Sequence, residues 1–368
     1  QALRCDMPRN LKLLIGTRKG LFLATADHGR KHFQWSGPFM AGYEIQSAVL
    51  DPREPEFGYA LAQHKVWGSH VYRTTDGGLH WSPLDEVPRH HRDEGQASLK
   101  TLWCLAMGHA TQPGTLYVGI EPPGLFASRQ RGVDWQLLDG FHTQAEAKFW
   151  TPAKGGLALH SAASDPERPQ TLYAALAAGG SYRSDDLGQH WQPINRGIRA
   201  PYLNAAAPPA GQCVHRLYVH PAGGGRLYQQ SHSGTYVSRD RGDTWQEISA
   251  GLPSDFGYAL VGDPNDADTL YVVPEQSSQL RAVADARLRV YRSRDAGENW
   301  TPCQRGLPQD NVYVTILREG LEADGLDPLG LYLGTTSGHL FASRDGGESW
   351  ELLAGYLPGI LSVRATLD

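Results

Sequence analysis

The sequence predicts an all-β protein, a seven-bladed β-propeller, from three observations. Its 368 residues include 42 Gly, 24 Pro and 10 Trp beside only 3 Met, a composition typical of many short strands joined by tight turns. One turn motif recurs along the chain, and the two ends of the chain carry complementary parts of one repeat. The length exceeds the roughly 150 residues of an ordinary domain, and the repeats indicate one large ring rather than two domains.

The recurring motif is an eight-residue segment that ends in Trp. Clean copies are TTDGGLHW at 74–81, SDDLGQHW at 184–191, SRDRGDTW at 238–245, SRDAGENW at 293–300 and SRDGGESW at 343–350. A degenerate copy at 128–135 has Gln130 in place of the Asp, and a stretched one ends at Trp35. We expect the Asp to accept hydrogen bonds from the turn amides, the Gly to supply a positive φ and the Trp to act as an apolar plug. Successive Trp residues lie 46 to 56 residues apart, enough for the four strands of a propeller blade.

Each repeat is predicted to run as an A strand, a B strand, a C strand, the motif and a D strand. Tyrosines that begin the B strands fix the phase: Tyr59, Tyr117, Tyr173, Tyr228, Tyr271 and Tyr332. The predicted A strands cover 43–50, 102–109, 157–164, 213–220, 258–263, 312–318 and 360–367. The chain opens on a B strand, so the last A strand completes the first blade and leaves no exposed sheet edge. The predicted propeller spans 7–368, and residues 1–6 are assigned outside it.

Charge and hydropathy exclude several classes of function. Thirty-four Lys and Arg against 39 Asp and Glu give a net charge of −5, which argues against a nucleic-acid binder. No apolar run approaches the roughly 18 residues of a membrane span, and the first ten residues lack the apolar core of a signal peptide. Four scattered cysteines show no paired spacing, which disfavours a zinc knuckle or a disulfide framework. We therefore expect a soluble cytoplasmic protein that acts on neither nucleic acid nor membrane.

The long connections predict where a ligand binds. In a four-stranded blade the A–B and C–D turns lie on one face, and the B–C and D–A connections lie on the other. The four long connections, 84–101, 138–156, 195–212 and 275–289, all belong to the second face, which we call the loop face. Ligand sites are commonly built from such loops around a concave opening, so a small-molecule substrate is expected there.

Aligned positions of the repeats supply the candidate site residues. One set stands where the B strands leave the sheet at the loop face: Arg18, Gln63, Glu121, His232 and Glu275. A second set stands five residues before the end of the innermost strands: Gln46, Cys104, His160, His215 and Tyr258. His160, His215 and His232 with Glu121 form a donor set that suits Zn, Mn or Fe. A metal-free pocket and a merely water-filled channel are the alternatives for the same residues.

Roles follow from residue chemistry. Glu121, Glu275 and Arg18 are the predicted catalytic residues, with Glu121 as fourth metal ligand or general base. The predicted substrate-binding residues are Gln63, His64, Trp103 and Tyr258.

The motif SRDGGESW resembles the Asp-box, or bacterial neuraminidase repeat. Nearly the whole chain resembles bacterial WD40/YVTN/BNR-like repeat proteins, which are often labelled glycosyl hydrolase or sialidase. The resemblance implies the propeller fold and implies that the motif aspartates are structural. A sialidase would need an arginine triad and an Arg-x-Pro signature, whereas Arg18 in GTRKGLF has no following Pro. Two-domain xyloglucanases with Asp boxes are much longer than this chain, which argues against that label as well.

Three functions follow in order of preference. The first is a metal-assisted hydrolase or lyase acting on a small ester, phosphoester or sugar-type substrate, because a bound metal lowers the pKa of water. The alternative is a non-catalytic ligand- or protein-binding propeller that resembles photosystem assembly factors and sorting receptors. The third is a metal-free glycosidase, which needs two carboxyl groups, here Glu121 and Glu275.

Overall fold

The computed structural model describes residues 10–90, 98–141, 148–150, 156–203 and 208–368. Residues 1–6, and residues 7–9 where the propeller was predicted to begin, lie outside the described part. The described residues form seven four-stranded antiparallel sheets arranged as the blades of a propeller. This architecture confirms the predicted fold class.

The blades follow one another along the chain. The first contains β1 (Leu11–Thr17), β2 (Gly20–Ala26) and β3 (Gln34–Phe39), and the second β4 (Glu44–Asp51), β5 (Glu54–His64), β6 (Gly68–Thr74) and β7 (Ser82–Pro83). The third contains β8 (Thr101–Met107), β9 (Leu116–Glu121), β10 (Gly124–Ser128) and β11 (Gln136–Leu137), and the fourth β12 (Leu159–Ser164), β13 (Leu172–Leu176), β14 (Gly180–Ser184) and β15 (Gln192–Pro193).

The remaining blades repeat this order. The fifth contains β16 (Val214–Val219), β17 (Leu227–Ser231), β18 (Gly234–Ser238) and β19 (Gln246–Glu247), and the sixth β20 (Gly257–Asp263), β21 (Asp266–Pro274), β22 (Val290–Ser293) and β23 (Thr301–Cys303). The seventh contains β24 (Leu321–Ala323), β25 (Leu331–Gly334), β26 (Leu340–Ser343) and β27 (Glu351–Ala354), and β28 (Ile360–Leu367) returns to the first blade. Two 3₁₀ segments lie at Asp139–Phe141 and Ala284–Ala286. No helix in the described ranges is both long and apolar enough to cross a membrane.

The last strand closes the ring as predicted. β28 pairs antiparallel with β1, with Leu367 opposite Leu11 and Val363 opposite Ile15. Apolar side chains of the seventh and first blades pack together at this junction, including fully buried Tyr332. The first blade thus has four strands like the others, and burial between neighbouring blades stabilises the ring.

The repeated hairpin has the predicted hydrogen bonds. Asp76 Oδ1 accepts from the amides of Leu79 and His80 at 3.1 and 2.9 Å, and Thr74 Oγ1 accepts from the Gly78 amide at 3.0 Å. In the third blade Asp134 takes the place of the missing Asp, because its Oδ1 accepts from the amides of 129 and 130.

The hairpins also contain a left-handed residue that was not predicted. The residue before the motif Gly has a positive φ, of 59° at Leu187 and 61° at Arg241. The Gly after it is positive as well, with 92° at Gly242. Each turn therefore uses two left-handed positions, of which only the Gly could be read from residue type.

The inner strand of the seventh blade differs from the prediction. The prediction of 312–318 was wrong, since the paired strand is β24. The segment before β24 instead bonds to the 275–289 connection: the Val283 amide donates to Val314 O at 2.9 Å and the Val312 amide to Ala286 O at 3.0 Å. These bonds occupy the backbone that a sheet ladder would need, and they place Arg318 just ahead of the inner strand.

A β-bulge interrupts the innermost strand in six blades; on β28 of the first blade the extra residue is Leu361. On β4 the register passes from Ile45 opposite Ala62 to Ser47 opposite Leu61. The other extra residues are Gln46, Trp103, His160 and His215, and on β20 the pair Tyr258 and Ala259 faces a single residue. A bulge bends its strand and redirects a side chain. The third blade therefore presents Trp103 at this position, and not Cys104 as the alignment predicted.

Candidate functional site at the loop-face mouth

Aromatic and basic side chains meet where the channel opens on the loop face. The Arg318 guanidinium carbon lies 5.5 Å from the ring centroid of Trp103 and 5.2 Å from that of Tyr258. The His215 ring stacks on Tyr258 with centroids 4.5 Å apart, and His232 lies beside His215 at 5.7 Å. We call Trp103, His215, His232, Tyr258 and Arg318 the mouth cluster.

Three possible metal ligands converge in the fifth blade. The ligand atoms of Cys213, His215 and His232 all lie within 4.8 Å of one another, and Cys213 Sγ is 3.7 Å from His215 Nε2. His215 Nδ1 donates to Gly257 O at 2.7 Å, which leaves Nε2 as the free nitrogen. Burial, helped by Arg318, holds the pKa of His215 well below its usual value. The ring is therefore neutral, which is the form that binds a metal.

The predicted His160 and Glu121 lie outside this group. His160 Nε2 donates to Val214 O at 2.8 Å and Nδ1 accepts from Ser161 Oγ at 3.0 Å, so neither ring nitrogen is free. Burial, followed by the charge of Arg318, holds the pKa of His160 well below its usual value. Of the four predicted ligands the structure brings together only His215 and His232, and among the described residues Cys213 completes the set.

Glu121 stands at the end of β9, in contact with the mouth cluster. Its Oε1 lies 3.0 Å from Lys100 Nζ, and its Oε2 accepts from the Trp103 indole at 3.3 Å. Gly156 packs directly on this carboxylate, since a Cβ at that position would lie 2.4 Å from Oε1. An ion pair, an indole and a close backbone contact hold the carboxylate in place.

Glu275, at the end of the sixth-blade B strand, is an acid in a different state. Its side chain is fully buried. One oxygen accepts from the Ile316 amide at 3.3 Å, and the other has no hydrogen-bond partner among the described residues. Burial raises the pKa of Glu275 to about 8. At neutral pH this group therefore holds its proton.

Arg18, Gln63 and His64 line a neighbouring groove of about 1090 Å³ on the same face. Arg18 pairs with Glu44 at 3.2 Å, and Gln63 donates to Leu102 O at 3.0 Å. His64 Nδ1 accepts from the amides of residues 66 and 67. Lys100 borders the groove and joins it to Glu121. Within the described ranges, none of these three predicted residues forms a side-chain hydrogen bond or ion pair with the mouth cluster, although Gln63 reaches the backbone next to Trp103.

Arg318 was missed because 312–318 was treated as an ordinary inner strand. No local pattern of the sequence could have found it, because the displacement of the inner strand follows from hydrogen bonds to the 275–289 connection. Glu319 was missed for the same reason. In the channel, Glu319 contacts Arg216 at 3.0 Å and Arg364 at 2.7 Å. Although burial acts to raise it, these two arginines hold the pKa of Glu319 below its usual value.

Comparison with known proteins places this site in context. No protein-family model matches the sequence. An oligoxyloglucan-reducing end-specific xyloglucanase of Emericella nidulans is 29% identical over 212 residues, which is 55% of this chain and 24% of that protein. A xyloglucanase of a Paenibacillus species is 24% identical over 256 residues, or 59% of this chain and 23% of that protein. The chain spans about a quarter of the length of the curated relatives it matches.

Solved structures share the fold at low sequence identity. A GH74 enzyme of Niastella koreensis superposes with a TM-score of 0.66 at 17% identity, covering 92% of this chain and 51% of that one. YCF48 of Cyanidioschyzon merolae superposes with a TM-score of 0.55 at 14% identity, covering 87% of this chain and 88% of that one. This chain is a seven-bladed propeller that resembles both. Because fold alone does not determine activity, function has to be argued from the site.

Proposed function

We propose that this chain hydrolyses a glycosidic bond at the loop-face mouth, using two carboxyl groups and requiring no metal ion. The observation that carries the proposal is that two carboxyl groups lie beside the mouth cluster: Glu121 accepts from the Trp103 indole, and the buried Glu275 lies within electrostatic range of Tyr258 and Arg318. The sequence relatives are xyloglucanases, and this similarity favours a sugar over an ester or phosphoester as the substrate.

The two carboxyl groups fit the two roles that glycoside hydrolysis requires. One acid protonates the leaving oxygen, and one carboxylate acts on the sugar carbon or activates water. Glu275 holds a proton at neutral pH because of its burial. Glu121 is oriented by the Trp103 indole. The half-buried Trp103 supplies an apolar face on which a sugar ring can stack. Tyr258 is buried and packs against His215.

Proton donation by Glu275 carries one mechanical requirement. The side chain has no exposed surface, and the 275–289 connection folds back over it through a bridge between Glu275 and Val283. The Gln276 amide also donates to Ala282 O at 2.7 Å. Direct transfer of the proton to a substrate therefore requires this connection to move, and movement on substrate binding is part of the proposal.

Hydrolysis of a panel of oligosaccharides tests this function. Xyloglucan, cello- and mixed-linkage oligosaccharides are incubated with chelator-treated protein, and reducing ends are counted. We expect Glu121→Gln and Glu275→Gln each to lower kcat by about 10²- to 10⁴-fold, the usual contribution of a general acid or base. Glu56→Gln, an exposed residue on the opposite face, is the control. Binding without turnover would support the non-catalytic alternative, and unchanged activity in both variants would reject these roles.

A second candidate, the metal-assisted hydrolase, is favoured by one observation: the converging atoms of Cys213, His215 and His232. A thiolate and two imidazoles suit Zn²⁺, which when bound supplies Lewis-acid chemistry. Zn²⁺ loading followed by elemental analysis separates the two candidates. Stoichiometric zinc in the unaltered protein and in the exposed control His28→Ala, lost from a Cys213→Ser, His232→Ala double variant, would support the metal. No retained zinc would reject it and leave the glycosidase proposal standing.

A further inference from the structure

Arg318 is a half-buried cation at the mouth. Within the described residues Arg318 forms no ion pair, and its Nε is buried without a hydrogen-bond partner. The described groups that face its guanidinium at close range are the rings of Trp103 and Tyr258. Ring faces attract a cation but do not neutralise it.

The other arginines of the channel are neutralised. Arg216 pairs with Glu319, and Arg364 pairs with both Glu319 and Glu322 at 2.7 and 2.9 Å. Arg318, one residue from Glu319, is therefore an exception within its own surroundings.

Neither candidate carboxyl group neutralises the positive charge of Arg318. Glu275 lies within electrostatic range, but burial keeps it protonated at neutral pH. Glu121 is bound to Lys100. Arg281 adds a second positive charge to the same side of the mouth, because it acts on Arg318, His215 and His232 alike. Within the described residues, two positive charges therefore act on this side of the mouth.

A desolvated cation without a counter-ion is costly unless a ligand supplies the opposite charge. A guanidinium presents a planar fork of donors that matches a carboxylate with two parallel hydrogen bonds. The nearby aromatic rings suit a sugar ring or another flat apolar face. Together these features describe a site for a ring that carries a carboxylate.

We infer that the mouth cluster recognises a uronic acid, whose carboxylate pairs with Arg318 while its ring contacts Trp103. This inference rests on the proposed function for the sugar, and it goes beyond that function by assigning the charge of the substrate. Arg318 is a specificity-determining residue in this account, with Glu121 and Glu275 acting on the bond.

Calorimetric titration with three matched disaccharides tests the inference: cellobiouronic acid, cellobiose and cellobiose 6′-sulfate. We expect cellobiouronic acid to bind about 10- to 100-fold more tightly than cellobiose, the range expected for hydrogen bonds between charged groups. Arg318→Gln should remove this preference, and Arg318→Lys should retain part of it because the charge remains without the fork. Arg239→Gln, an exposed residue on the opposite face, should keep it in full.

Several results would overturn the inference. These are equal affinity for the acidic and neutral sugars, a preference that survives in Arg318→Gln, an equal or greater preference for the sulfate, or no binding of any of the three. Turnover of neutral oligosaccharides with no preference for acidic ones would reject the uronic acid and retain the glycosidase. Loss of turnover in Glu121→Gln with the acidic preference intact would support both.

Discussion

At the residue scale, burial sets the chemistry of the mouth. Glu275 and Glu121 stand at equivalent ends of two B strands, yet one is enclosed with an unpartnered oxygen and the other is held by Lys100. Burial therefore keeps a proton on Glu275 at neutral pH, whereas Glu121 lies 3.0 Å from the ammonium group of Lys100. Two groups of the mouth are tied to the segment 312–318: Arg318 belongs to it, and Glu275 accepts a hydrogen bond from the amide of Ile316 within it.

The raised pKa of Glu275 predicts a specific dependence of stability on pH. Between its ordinary value near 4.5 and its folded value of about 8, the folded protein keeps a proton that the unfolded chain releases. The free energy of unfolding should therefore fall as pH rises through this window. Glu275→Gln stays neutral, so its free energy of unfolding should fall less.

Urea denaturation at several pH values within that window measures this difference. Glu56→Gln should follow the unaltered protein. If the free energy of unfolding changed with pH equally in Glu275→Gln and in the unaltered protein, the carboxyl group of Glu275 would ionise freely in the folded state.

Residue alignment identified His215, His232, Glu121 and Glu275 as loop-face groups because their register follows the B-strand tyrosines. The alignment did not reveal that both ring nitrogens of His160 are hydrogen-bonded, one to Val214 O and the other to Ser161 Oγ. Hydrogen bonds between blades depend on how the blades pack, and no repeat pattern carries that information. Cys213 was passed over for a similar reason, since it lies just before β16 and joins its ligand group only through the fold.

At the element scale, the hairpin glycine performs two functions. It adopts a left-handed φ, and it packs on an apolar side chain three residues after the Trp of the preceding blade. A Cβ on Gly188 would lie 2.6 Å from Leu138, and one on Gly242 would lie 2.6 Å from Ile194. The motif Gly of one blade therefore packs on the D strand of the preceding blade, at the last position of its W-x-x-L pattern, and together they form one contact between blades.

Two glycines with similar backbone angles separate these functions. Gly242 and Gly251 have φ of 92° and 90°, but a Cβ on Gly251 meets only Trp300, at 3.8 Å. We expect Gly251→Ala to lose about 1 kcal/mol through the left-handed backbone alone. Gly242→Ala should lose about 1 to 3 kcal/mol more, because the methyl group overpacks the junction.

Chemical denaturation of the two variants measures the comparison. Equal losses would show that backbone conformation, and not packing between blades, explains the glycine.

Element boundaries were predictable wherever the motif and the B-strand Tyr set the phase. The exception, β24, lies after a segment whose backbone bonds to the 275–289 connection. Residues 312–318 are rich in β-branched and aromatic side chains, as in a strand. Their backbone nevertheless bonds to the distant 275–289 connection, so the inner strand pairs only at Leu321–Ala323. Long-range competition of this kind cannot be read from a local pattern.

At the scale of the whole molecule, one carboxylate links four blades across the channel. Glu319 of the seventh blade contacts Ser47 of the second, Arg216 of the fifth and Arg364 of the first. The group is buried, and its removal would leave Arg216 without an ion-pair partner among the described residues and Arg364 with Glu322 alone. Ring closure therefore combines strand pairing at β28 with an ion cluster near the axis.

This cluster predicts a large cost for a small change. Glu319→Gln should lower the free energy of unfolding by about 3 to 5 kcal/mol, as expected when a buried ion pair loses one member. Glu351→Gln, which removes an exposed partner of Arg344, should cost less than about 1 kcal/mol. Urea denaturation compares the two, and similar small losses would mean that water reaches the Glu319 cluster.

Ligands are expected to bind at the loop-face mouth, which is formed by bulged inner strands. Hydrogen exchange followed by mass spectrometry, with and without xyloglucan and cellobiouronic oligosaccharides, tests this location directly. We predict slower exchange in segments 101–104, 257–260 and 312–318 when a sugar is bound. Protection confined to the opposite-face cavity, whose lining includes residues 105–110 and 216–219, or no protection by any of these sugars, would contradict the account.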